Sequence, residues 1–191
     1  MIGPMPSVVD ATPDRWDDVV AVMAGKGDAA RCWCQFFRGT NADWNAGTSA
    51  GRRTALRGQL ASGPPPGVVA YDDGGTPAGW CGVAPRAHYP RLARSLIAKA
   101  THDEDGLWAL TCFVVPVRAR RQGLSAVLLD GAVDLAQRHG ARTIEAYPID
   151  LAVRTPSSSE LYHGAFHVFQ RAGFVEVARP KPDRPTVRLT L

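Results

Sequence analysis

Residues 107–137 read LWALTCFVVPVRARRQGLSAVLLDGAVDLAQ. From Leu107 to Val115 the residues are almost continuously apolar, the pattern of a strand buried on both faces. Leu124, Val127, Leu128, Gly131 or Ala132, and Leu135 then recur at helical spacing, so the stretch predicts a strand, a basic turn and a helix. The turn carries Arg118, Arg120 and Arg121, and Gly123 and Ser125 arrive as the helix opens. A helix start offers unpaired backbone N–H groups and the positive end of a dipole, so it can hold a diphosphate where no bulky side chain blocks the approach. Gly123 supplies that clearance. A surface turn with solvated arginines fits the same residues, since short glycine motifs arise often by chance.

At 191 residues and 45% hydrophobic, the chain can bury a sizeable core, and one domain spanning residues 1–191 is expected. The first residues lack a basic region followed by an apolar stretch. No run of about 18 apolar residues occurs, so a soluble, cytoplasmic protein without a membrane partner is expected. The net charge of +4 suits an anionic ligand. Acidic and basic residues are interspersed, however, without a lysine-rich run or a zinc-finger pattern, which argues against nucleic acid. The four cysteines, Cys32, Cys34, Cys81 and Cys112, are too few and too irregular for a disulfide scaffold. Cys32 and Cys34 lack the spacing and the second pair of a structural zinc site, so reduced thiols and no metal are expected.

Outward from the central stretch, residues 7–10 read as a strand. Thr12 and Pro13 then open a helix with Trp16, Val19, Val20 and Met23 on its apolar face. Residues 25–51 show no clean period; their aromatics can wall an acceptor pocket or pack as an ordinary helix. A helix over 52–60 is followed by strands at 67–71 and 78–83, joined by the turn-rich DDGGTP. Residues 89–99 read as a helix, and the acidic cluster at 103–105 as a solvated loop or as an attraction for a cationic acceptor. After Gly140, a helix stop, residues 142–148 form a strand with Glu145 and Tyr147 on one face and Ile144 and Ala146 on the other. Residues 157–160 fit a capping box opening a helix through Ala172, and strands at 174–178 and 186–191 close the chain.

The junction Arg120-x-x-Gly123-x-Ser125 resembles the Q/R-x-x-G-x-G/A fingerprint of the GNAT acyltransferases, with serine in the last small position. About 40 residues on, Tyr162-x-x-Ala165-x-x-x-Phe169-x-x-x-Gly173-Phe174 resembles that family's second motif, N-x-x-A-x-x-x-Y-x-x-x-G-F. Together they cover the C-terminal half. The resemblance implies a mixed α/β fold: a twisted mixed sheet of six to seven strands with helices on both faces. It implies that the central strand splays from its neighbour, freeing the backbone of Phe113, Val114 and Val115 for the pantetheine arm of coenzyme A. Arg120, Arg121, Gln122, Gly123, Leu124 and Ser125 would hold the pyrophosphate, with Phe169 also beside the cofactor.

The implied reaction is transfer of an acetyl group from acetyl-coenzyme A to a primary amine of a small molecule or protein. It needs a group that takes a proton from the amine and one that stabilises the departing thiolate. Glu145, beside the splay, is the first candidate base, with a solvent-facing glutamate as the alternative. The family's usual acid, a tyrosine, falls on Phe169, which cannot donate; Tyr162 is the candidate substitute. A non-catalytic acyl-coenzyme-A-binding module with the same fold is the rival reading. His163 and His167, four apart, have a metal-ligand spacing without a third ligand, and an exposed polar face explains them as well. Cys112, in its hydrophobic strand, is expected in the core. The assembly is open, with a homodimer the commonest form.

Overall fold

The computed structural model describes residues 6–25, 27–98, 104–157 and 159–191. Seven strands form one sheet in the order β1-β2-β3-β4-β5-β7-β6. They are β1 (Ser7–Asp10), β2 (Gly67–Tyr71), β3 (Pro77–Pro85), β4 (Leu107–Val114), β5 (Thr143–Ala146), β6 (Val175–Lys181) and β7 (Arg184–Thr190). Every neighbouring pair is antiparallel except β4 with β5. A parallel pair needs a crossover, and the helix α5 (Leu124–Arg138) supplies it. The sheet is therefore mixed, as the order of apolar segments implies.

Alternation along β2 divides the core. Val68 and Ala70 join α5 on one face, whereas Val69, with Trp80 of β3, joins α1 (Trp16–Met23) and α4 (Ser49–Leu60) on the other. Leu128, Leu129, Ala132, Leu135 and Ala136 of α5 are fully buried, which fits the helical period of its apolar residues. The helix ends in a Schellman motif: Ala141 N–H donates to Ala136 (3.0 Å) and Gly140 N–H to Gln137 (3.1 Å), with Gly140 at φ +83°.

Two irregularities shape the site. In the β3–β4 ladder, Val83 faces Leu110 and Gly82 faces Cys112, so Thr111 is the extra residue of a bulge. Leu110 and Phe113 consequently share the α5 side, although a regular strand would put them on opposite faces. β5 pairs with β4 only from Leu107 to Leu110, leaving the edge of Thr111–Val114 without a strand partner on that side. The chain beyond β5 turns away, and Ile149 makes a bridge with Ala165.

Several segments differ from the sequence reading. Residues 25–51 hold two short helices, α2 (Asp28–Cys32) and α3 (Asn41–Ala46), and α4 begins at Ser49 rather than Arg52. Within the helix expected over 89–99 the described residues hold only a 3-10 turn, Leu92–Arg94, preceded by another at Arg86–His88; Lys99 lies outside the described residues. Pro90 accounts for this, because it lacks an N–H and disfavours the helical region at Tyr89, which sits at φ −122°, ψ 66°. The strand at 142–148 is only Thr143–Ala146. The helix expected from Ser157 to Ala172 is broken into a 3-10 turn, Glu160–His163, and α6 (Phe166–Arg171). Gly164, at φ +77°, separates them, and a Cβ there would lie 2.8 Å from Phe169 and 3.0 Å from Phe113. The Glu160 half of the capping box is present: its carboxylate accepts from the Ser157 N–H (2.9 Å). Among the described residues no helix is long and apolar enough to cross a membrane.

Candidate acyl-transfer site

The gap left where β5 stops opens onto a cleft of about 1210 Å³. One wall is β4 from Thr111 to Val115, and the far end is the turn from Arg120 to Ser125. Of the predicted cofactor residues, Phe113, Val114, Val115, Arg120, Arg121, Gly123, Leu124 and Ser125 line this cleft. Gln122 does not; its side chain folds back to the Arg118 carbonyl (3.4 Å). Phe169 does not either. It is fully buried, edge-on to Phe113 and Phe174, so it is a core residue, and its neighbours Val168 and Arg171 face the cleft instead.

The turn has the features an anion needs. Gly123, at φ +75°, caps α5 with no side chain bonded to the first-turn N–H groups, and a Cβ there would meet nothing within 4 Å. Arg121 also takes a left-handed φ of 64°. Uncapped donors, the helix dipole and two arginines therefore meet on open space, which fits the diphosphate of coenzyme A. The free edge of β4 fits the amide-bearing pantetheine arm, since an unpaired strand edge offers backbone donors and acceptors to an extended partner.

The predicted catalytic residues separate. Glu145 lies opposite Ala109, on the paired side of the splay, and is completely buried away from the cleft. Tyr147 Oη donates to one carboxylate oxygen, which Arg86 Nε also approaches at 3.4 Å, and Arg188 Nε donates to the other at 2.9 Å. Both oxygens are thus engaged by the protein, and Tyr147 is sealed in with them rather than lining an acceptor pocket. The alternation along β5 was read correctly, but the side that Glu145 faces is interior.

Tyr162 is at the cleft. Burial pushes its phenol up to about 12, so it stays protonated at neutral pH, and it makes no hydrogen bond among the described residues. It also lines a second cavity of about 360 Å³, which shares Phe36, Phe37 and Tyr162 with the first. His163 faces this second cavity, its ring 4.0 Å from that of Tyr162. Burial, and secondarily the charge of Arg184, hold His163 well below the usual histidine range, leaving a neutral imidazole. His167 is exposed on α6, so the two histidines do not converge. Among the described residues no group of three or more His, Cys, Asp or Glu is placed to hold a metal.

The aromatic segment at 32–37 walls both cavities. Trp33 and Cys34 take consecutive left-handed conformations, φ 47° and 56°, a costly turn for residues that carry a Cβ. Trp33 enters the core by this turn, and Phe36 and Phe37 face the cavities. Cys34 accepts a hydrogen bond from Trp80 Nε1 (3.1 Å) and meets Cys112 at the cleft, so Cys112 is partly exposed there rather than in the core. All four cysteines are free. Of the acidic cluster, Asp103 lies outside the described residues and Glu104 pairs with Arg188 at 3.4 Å. Neither Glu104 nor Asp105 lines either of these two cavities.

Residues 33–174 match the acetyltransferase (GNAT) family. The chain belongs to that family. Its fold agrees with solved GNAT structures. One is a GNAT acetyltransferase from Streptococcus pneumoniae, 17% identical, TM-score 0.53, covering 97% of this chain and 99% of that one. A GCN5-related N-acetyltransferase from Kribbella flavida is also 17% identical, TM-score 0.54, with 97% and 98% covered. The protein yncA of Salmonella typhimurium, described as an acetyltransferase and solved with its cofactor acetyl-CoA, is 15% identical, TM-score 0.54, with 97% and 94% covered. No curated protein matches the chain. As a GNAT protein, the chain is an acetyltransferase whose cosubstrate is acetyl-CoA.

Arg184 escaped the sequence reading, because an arginine beside Pro185 in a turn-flanking strand carries no periodic signal. His163 was singled out only with His167, as a metal-ligand spacing or an exposed polar face, and not as a base.

Proposed function

We propose that this protein transfers an acetyl group directly from acetyl-CoA to a primary amine, acting as one domain in the cytoplasm. The observation that carries the reading is the truncated β4–β5 ladder, whose open edge lines the large cleft together with an uncapped, arginine-flanked helix start, beside a smaller cavity that shares Phe36, Phe37 and Tyr162 with it. That layout supports a coenzyme lying in the large cleft and an amine entering from the small one. The free thiols are consistent with a reducing compartment.

The coenzyme supplies a thioester carbonyl, and the chain handles the protons. An amine attacks only when unprotonated, and its N–H proton must leave as the C–N bond forms and the C–S bond breaks. His163 is neutral and faces the acceptor cavity, so it takes the base role first assigned to Glu145, whose oxygens are occupied. Tyr162, protonated and lining both cavities, gives its proton to the departing thiolate and recovers one by way of solvent. Free N–H groups of the β4 edge polarise the carbonyl.

Titration calorimetry with acetyl-CoA, followed by thiol-release assays over a panel of amines, tests the reading. Micromolar binding with turnover of at least one amine is expected. Binding without turnover of any amine would favour the non-catalytic module, and absence of binding would remove the cleft from the function.

A further inference from the structure

The smaller cavity says more about the acceptor than the family does. Its walls combine Phe36, Phe37, Leu96 and Ile97 with Glu160, His163 and Arg184. Arg184 is the first residue of β7, more than half buried, and its Nε is fully enclosed with no hydrogen-bond partner among the described residues. A guanidinium cannot shed its charge, and a buried donor left unpaired is costly, more so when charged. The acidic groups around it are already committed. Arg154 binds Asp183 through Nε (2.6 Å) and Glu160 through its terminal nitrogen (2.6 Å), and Ser157 donates to Glu160 twice. Burial pulls Arg184 below the ordinary arginine range, and the nearby Asp183 and Glu160, engaged by Arg154, only partly oppose it.

From these facts, and on the acetyl-transfer reading above, we infer that the acceptor is a small amine that also bears a carboxylate, bound by Arg184. Arg184 lines the cavity, and because its Nε is enclosed, the part of the planar guanidinium open to a carboxylate is its terminal N–H groups. With its carboxylate there, a short amino acid directs its amino group toward His163 and Tyr162, the latter a wall of both cavities. Its side chain lies among Phe36, Phe37, Leu96 and Ile97, which favours an apolar one. The neutral His163 fits this arrangement, because a second cation beside Arg184 would repel the ammonium group before its deprotonation.

The test compares free apolar amino acids with their own amides as acceptors, using acetyl-CoA and thiol release. At neutral pH the amide's amino group is the more deprotonated, so a preference for the acid cannot arise from nucleophilicity. The wild type is expected to favour the acids at least tenfold in kcat/KM. Arg184→Gln should collapse that ratio toward one by raising KM for the acids, and Arg184→Lys should retain part of it. Calorimetry with acetyl-CoA reports whether each variant is folded, and should give the wild-type Kd. Amides turned over as well as acids, a preference that survives Arg184→Gln, or acetyl-CoA binding with no acid accepted would each overturn the inference while leaving the coenzyme site intact. A wild type that binds no acetyl-CoA would instead overturn the functional reading on which it rests.

Discussion

His163 shows how one residue's chemistry is set by neighbours that its own sequence context does not name. Within its own turn it faces Tyr162 and Glu160; from β7 it faces Arg184, and from the α2–α3 connection Phe37. Burial and the Arg184 charge both disfavour the imidazolium, so the folded pKa lies below the usual 6.5. A base with a lowered pKa is ready at pH 7 and is lost only as pH falls through that lowered value. The acid limb of kcat for acetyl transfer is therefore expected well below pH 6.5, and removing the positive charge with Arg184→Gln should move it upward. His163→Gln should lower kcat by roughly 10²-fold or more, the usual scale of general-base catalysis, with acetyl-CoA affinity unchanged. Steady-state rates from pH 5 to 8 check both; an acid limb at the same pH in Arg184→Gln would dissociate the two residues.

At the scale of elements, the start of α5 was legible because its signals are local. A buried strand, a glycine needed at positive φ and a helical repeat all lie within consecutive residues, and the structure returns them nearly in register. Gly123→Asp should put a carboxylate against the diphosphate and weaken acetyl-CoA binding at least tenfold, or ~1.4 kcal/mol. Gly123→Ala provides the control. It meets no atom within 4 Å, so it should cost only about 1–2 kcal/mol of stability from its left-handed backbone and leave most of the affinity. Calorimetry on both variants separates charge from strain. Elements whose limits depend on partners were read less well. The helix expected at 89–99 yields to Pro90. The one expected at 157–172 breaks where Gly164 threads between aromatic rings and Ala165 bridges Ile149, contacts that no periodicity announces. The Thr111 bulge likewise exists only in the pairing of β3 with β4.

Across the whole molecule, Glu145 ties distant segments together. Arg86 reaches it from the turn after β3, Arg188 from β7, and Arg188 continues to Glu104 ahead of β4. Removing one partner of a buried ionic network strands the others, so Glu145→Gln should destabilise the fold by about 3–5 kcal/mol. A lower midpoint in urea, with turnover per folded molecule largely retained, is the expected result; a stable but inactive variant would return Glu145 to the role of base. The order of strands and helices, the buried central strand and the anion-ready turn were settled by residue pattern, because hydrophobic period and turn chemistry act between near neighbours in the chain. The acceptor cavity and the fate of Glu145 were settled only by folding. Phe36, His163, Arg184 and the arginines around Glu145 are far apart in sequence, and only the sheet order β4-β5-β7 and the break in the β4–β5 ladder bring them together. Burial then decides which carboxylate is consumed by arginines and which histidine stays neutral, and burial is a property of the packed molecule.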